Sequence, residues 1–141
     1  MSIKIYYDQI RFRIQRSGEI KKFLEKVIRD KGKMPGDLKF IFTDDEKILE
    51  INNKFLKHNY YTDVISFDDS KGKNVNGEIY ISMETLKRNA DQYNVRIKEE
   101  IVRVMVHGLL HLCGYNDDNR ANKSLMIGIQ ESLVKELANK I

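Results

Sequence analysis

The chain has 141 residues, with 25 Lys+Arg against 21 Asp+Glu, three His, one Cys, one Pro and no Trp. That length fits one domain spanning 1–141, able to remove roughly two-thirds of the unfolded chain's surface from water. An apolar share of 41% beside 33% charged residues belongs to a folded chain and excludes a disordered one.

The longest uncharged stretch, Val104 to Asn116, is too short to cross a bilayer. Lys4, Asp8, Arg11 and Arg13 interrupt any signal-like apolar run near the start. A single cysteine, Cys113, fits a reducing compartment. A soluble cytoplasmic protein with no membrane partner is therefore expected.

Ile3, Ile5 and Tyr7 alternate with Lys4 and Tyr6, which predicts a strand. With Ser17 as cap, Ile20, Phe23, Leu24, Val27 and Ile28 predict a helix stopped near Gly32 and Pro35. This region is basic: residues 1–34 hold ten Lys/Arg and four Asp/Glu, whereas 35–141 hold fifteen and seventeen. Arg11, Arg13, Arg16, Lys21, Lys22, Lys26, Arg29, Lys31 and Lys33 form a candidate surface for a polyanion, with Lys21, Lys22 and Arg29 as the candidate contacts, because neutralised phosphates release counterions. A solvated helix face is the alternative.

Leu38, Phe40 and Phe42 predict a second strand. Thr43 and Glu46 have capping-box spacing, ahead of helical periodicity through Ile48, Leu49, Ile51, Phe55 and Leu56. Val64 to Phe67 and Glu78 to Ile81 predict paired strands around the polar loop 68–76. Ser82 caps a helix to about Tyr93, and another runs from about Arg96 to Cys113. Leu125, Ile129, Leu133 and Leu137, flanked by Met126 and Val134, mark a last amphipathic helix. The order β-α-β-α-β-β-α-α-α predicts an α+β fold. Its mixed sheet has about four strands with helices packed against it, two strand–helix–strand crossovers making it partly parallel.

The chemistry concentrates in His107-Gly108-Leu109-Leu110-His111-Leu112-Cys113-Gly114-Tyr115-Asn116-Asp117. Two imidazoles four apart stand on one helix face and can share one metal ion. Gly114 suits a left-handed helix end, after which Asp117 returns a carboxylate. Two His and one Asp leave coordination positions open, the pattern of a catalytic site. The alternative is a pair of core histidines. Cys113 reads as core and His58 as surface. Arg103, one turn before His107, is the candidate catalytic cation for a phosphate, with an ion pair to Glu99 or Glu100 as its alternative. Asp63 is a candidate orienting partner for a ligand histidine, or a strand-end cap.

The spacing is similar to that of metzincin peptidases, but the general-base Glu after their first His is Gly108 here. A metal-dependent peptidase therefore ranks third among the readings. Non-haem iron oxygenase sites also use two His and a carboxylate, on barrels this chain has too few strands to build.

His107-Gly108-x-Leu110-His111-Leu112-x-Gly114-Tyr115 resembles the signature HGxLHLxGYDH of the YbeY family of bacterial endoribonucleases. Thr62-Asp63-Val64-Ile65-Ser66-Phe67 is similar to its TDVLSF segment, Ile51-Asn52 to its Leu-Asn, and Gly77-Glu78-Ile79 to its GDI strand. The resemblance implies a small α+β fold and one zinc ion, with other divalent metals as alternatives. It also implies cleavage of single-stranded rRNA precursors (16S 3′ end maturation), ribosome quality control, and ribosomal RNA and subunits as partners. Asp117 stands where the family has its third histidine, and Leu56 where it tends to have an arginine. Lys57 and His58 lie beside that position. A ribosome-associated binding factor with a structural metal is the rival from another class.

Overall fold

The computed structural model describes residues 3–55 and 64–141. Leu56, Lys57, His58, Thr62 and Asp63 lie outside the described residues. The chain forms β1 (Ile3–Tyr7), α1 (Ser17–Asp30), β2 (Met34–Thr43), α2 (Asp45–Phe55), β3 (Val64–Asp68), β4 (Asn74–Ser82), α3 (Met83–Gln92), α4 (Ile97–Leu112) and α5 (Arg120–Ala138). The sheet order is β1-β2-β4-β3. β2 runs parallel to β1 and to β4, and β3 is antiparallel to β4. The α+β architecture expected from the pattern is the one observed.

The second crossover is a correction. β3 does not lie beside β2: it goes to the sheet edge, and its hairpin returns β4 into the parallel slot. A strand–helix–strand pattern cannot distinguish these routes, because both cover the same apolar face.

Side-chain alternation gives the sheet two unlike faces. One carries Ile3, Phe40, Phe42, Ile79 and Ile81 into the main core with α1, α3, α4 and α5. The other packs Ile65, Phe67 and Tyr80 with Ile48 and Ile51 of α2. α4 lies against β3, β4 and α5. Gly108 makes that approach possible, since a Cβ there would meet Ile79 Cγ2 at 2.8 Å.

Several local signals moved by a residue or two. Arg16, in the left-handed region at φ 56°, precedes α1, and Ser17 is its first residue without a capping bond. Pro35 ends no helix; it sits inside β2, beside a register shift between Pro35 and Leu38, where a missing N–H is tolerated. Thr43 closes β2, and Asp44 caps α2 by accepting the Lys47 amide at 2.9 Å. The loop between β3 and β4 is shorter than expected, because Asn74 and Val75 already pair with Met34 and Pro35. Phe55 is exposed while Asn52 is buried. The buried face of α5 is Met126, Gln130, Val134 and Leu137, with Leu125 exposed. Ser82 caps α3 as expected, accepting the Thr85 amide at 3.2 Å.

Candidate metal centre

α4 is apolar on most of its circumference, but one stripe, Glu99, Arg103, His107 and His111, is half-buried at a spacing of four. Residues so spaced share a face. Beyond Leu112 the helix ends in a paired closure: Tyr115 N donates to Leu110 O at 3.0 Å and Gly114 N to His111 O at 3.1 Å. Gly114 has φ 102°, the conformation that closure needs. The chain then turns back and presents the exposed Asp117 to the two imidazoles. One ligand atom from each of His107, His111 and Asp117 lies within 4.8 Å of the others.

The loop holding Asp117 is tied on both sides. Asn122 Nδ2 donates to Asn116 Oδ1 at 2.9 Å and to Asp118 Oδ1 at 2.8 Å. Asn119 Oδ1 accepts the Asn122 amide at 2.8 Å and starts α5. Nothing in the hydrophobic pattern marks these asparagines; the signal that could have found them is the polar run 116–119 ahead of a helix.

Each imidazole is oriented through Nδ1. His111 Nδ1–H donates to the Tyr115 carbonyl at 3.2 Å. His107 Nδ1–H donates to Gln130 Oε1 at 2.7 Å. The amide orientation of Gln130 is fixed because its Nε2 donates to Glu131 Oε2 at 3.0 Å, and a carboxylate only accepts. With both Nδ1 atoms protonated, the neutral rings leave both Nε2 atoms bare. Those atoms face each other at 3.1 Å. Two lone pairs so placed repel unless a cation lies between them. Two nitrogens held about 2.0–2.1 Å from one tetrahedral zinc stand about 3.3 Å apart, so the pair fits a shared ion. Protonation is the poorer answer, since burial, and then His107 beside it, holds the His111 pKa below the usual 6.5.

Arg103 makes the ion pairs weighed as its alternative, and one more. Its Nε and Nη2 donate to the two oxygens of Glu131 at 2.9 Å each, Nη1 donates to Glu100 at 2.8 Å, and Nη2 also to Glu99 at 3.0 Å. A guanidinium shared among three carboxylates is committed, and its pKa is driven upward by Glu131 first. It supports the site from behind, holding Glu131, which holds Gln130, which holds His107. Sequence reading missed Gln130 and Glu131; the available signal was a polar residue at the buried spacing of Met126 and Val134.

Gly108 occupies the place of the peptidase base, and its contact with Ile79 leaves no room for a glutamate there. Cys113 is buried, its thiol pushed up to about 11 by burial, and it is not in the ligand group. Lys21, Lys22 and Arg29 lie on α1, the first half-buried and the others exposed. A rise of about 1.5 Å per residue sets Lys21 and Lys22 roughly 14 Å along the axis from the α1 C-cap at Lys31. Arg29 is in the last turn. No helix among the described residues is long and apolar enough to cross a membrane.

The chain is similar to known proteins in sequence and in fold. The family described as Endoribonuclease YbeY matches residues 4–138. A protein of Flavobacterium psychrophilum named Endoribonuclease YbeY is 42% identical over 127 residues, covering 90% of this chain and 91% of that one. One of the same name from Parabacteroides distasonis is 37% identical over 126 residues, covering 89% of each. Among solved structures, the solution structure of a Thermotoga maritima protein is similar with a TM-score of 0.68 and 27% identity. That match covers 98% of this chain and 90% of the other.

Proposed function

The chain belongs to the endoribonuclease YbeY family, and from that premise we propose that it is a metal-dependent endoribonuclease of rRNA processing. Its substrate is single-stranded ribosomal precursor RNA, including the 16S 3′ end, and its setting is the cytoplasm, in association with ribosomal subunits. The observation that carries the reading is the pair of bare imidazole nitrogens at 3.1 Å with a carboxylate beside them.

His107, His111 and Asp117 would hold one ion, with zinc the best fit to a two-nitrogen, one-oxygen donor set. When bound, the ion supplies Lewis acidity at a phosphoryl oxygen. The chain's own contribution is orientation. Tyr115 and Gln130 fix which imidazole nitrogen is presented, and the Asn122 ties fix the loop that carries Asp117. Three protein ligands leave room for substrate at the ion. Lys21, Lys22 and Arg29 supply part of the positive field that draws the RNA backbone.

The test is digestion of an unstructured rRNA-precursor transcript by metal-loaded protein. The wild type is expected to cut it, and a chelator to stop the cutting until zinc is restored. His107→Ala is expected to bind the transcript and leave it intact. Protein that is metal-loaded and binds RNA, yet cuts no better than His107→Ala, would overturn the nuclease reading in favour of a binding factor. Casein digestion checks the peptidase reading, for which Gly108 leaves no base; no cleavage is expected.

A further inference from the structure

The commitment of Arg103 to carboxylates leaves open which cations meet the substrate beside the metal centre. Two turns answer by their position. The first joins α1 to β2 and carries Lys31 and Lys33; the second joins β3 to β4 and carries Lys71 and Lys73. They lie side by side, because Met34 N donates to Lys73 O at 2.8 Å and Met34 pairs with Asn74. Both turns are held by backbone bonds. Gly32, at φ 76°, lets Lys33 N reach Ile28 O at 3.2 Å, and Lys71 and Asn74 exchange both their amide bonds at 3.0 and 2.9 Å.

This rim adjoins the loop of the metal centre. The Lys31 ammonium sits 5.2 Å from the centroid of the Tyr115 ring, and the carbonyl of Tyr115 is the acceptor for His111. None of the four lysines makes an ion pair among the described residues, whereas Lys26, one turn earlier, is paired with Asp30. Next to the β3–β4 turn, Asp37, Asp68, Asp69 and Glu78 line an open cleft of about 370 Å³ together with Lys39, a more acidic surface than the lysine rim.

We propose that Lys31, Lys33, Lys71 and Lys73 form a phosphate track that leads single-stranded RNA past Tyr115 to the metal centre. The track rests on the nuclease reading for its substrate, and adds to it the surface along which that substrate lies. Its cations are spread over two turns, and phosphate contacts of that kind position a strand without reading its sequence.

The test is fluorescence anisotropy with an end-labelled, unstructured oligoribonucleotide across a salt series. Each phosphate neutralised on a single strand contributes about 0.7 to the slope of log affinity against log salt. The variant with all four lysines changed to Gln is therefore expected to lose about 3 from that slope, and more than tenfold in affinity at low salt. The Lys31→Gln/Lys33→Gln and Lys71→Gln/Lys73→Gln pairs should each lose about half as much. All three variants should keep the wild-type zinc content and melting transition. Lys21→Gln/Lys22→Gln, roughly 14 Å along the α1 axis from Lys31, should change the slope less than either pair.

Wild-type affinity and slope in all three track variants would overturn the track while leaving the nuclease reading in place if wild type cuts RNA. Binding that weakens as described in a protein that never cuts would uphold the track and overturn the nuclease reading. Wild type that fails to bind the oligoribonucleotide at all overturns both.

Discussion

The seam between α4 and α5 and the two lysine-bearing turns handle charge in opposite ways. In the seam, Arg103 is matched by Glu99, Glu100 and Glu131, and each remaining hydrogen bond leads toward a metal-ligand imidazole. In the turns, four ammonium groups have no carboxylate partner among the described residues, and the bonds that hold the turns are made by the backbone and by Asp68, Ser70 and Asn76, not by the lysines. The first arrangement fixes the orientation of a ligand imidazole, as an ion with set ligand distances requires. The second presents mobile charge, which suits a partner that slides and varies in sequence. The arginine and the four lysines therefore have different work, decided by what surrounds them.

The largest break in this contrast comes from the ligands. His107→Ala and His111→Ala should each abolish measurable zinc binding in a calorimetric titration while the protein still melts cooperatively, since the core lies elsewhere in the sheet and helices. Arg103→Ala comes next. It takes a shared cation from three carboxylates, one of them the buried Glu100, and should cost about 3 kcal/mol in urea unfolding. An equally stable variant would show that the cluster is a solvated ion pair of little weight. Gln130→Ala removes only the bond that orients His107, and should weaken zinc about 10- to 100-fold with little change in melting temperature.

The smallest effect is one of pH. Because the folded-state pKa of His111 lies below 6.5, the unfolded chain binds the proton more readily. Stability of the metal-free protein should be unaffected by this group above 6.5 and should decline as pH falls from 6.5 through the lowered value. Zinc affinity should weaken over the same range, as protons compete for Nε2. The turns should show neither trend, and salt should alter RNA affinity without releasing zinc.

Much of this was legible in advance where the signal is local. The spacing of His107 and His111, the left-handed Gly114 and the Ser82 cap depend on neighbours within a few residues, and periodicity encodes such relations directly. The route of β3 was not legible, because an edge strand and a central one can bear the same apolar alternation. Nor were the partners of Arg103. Its face on α4 was plain, but Glu131 is 28 residues away on another helix, and only packing brings it there. Gln130 occupies a core position because it bonds to His107, so a hydrophobic count that prefers Leu125 picks the wrong face. The Thr43–Glu46 spacing misled for a related reason: β2 keeps Thr43 in the sheet, and the next residue, Asp44, has the oxygen that caps α2.

The most direct test of the central claim is X-ray absorption at the zinc edge of the reconstituted protein, with Asp117→Ala beside it. Two imidazoles and light oxygen or nitrogen donors at about 2.0–2.1 Å are expected, with one oxygen ligand replaced by water in the variant. A sulfur shell at about 2.3 Å, or a single imidazole, would place the ion outside His107, His111 and Asp117 and contradict the account.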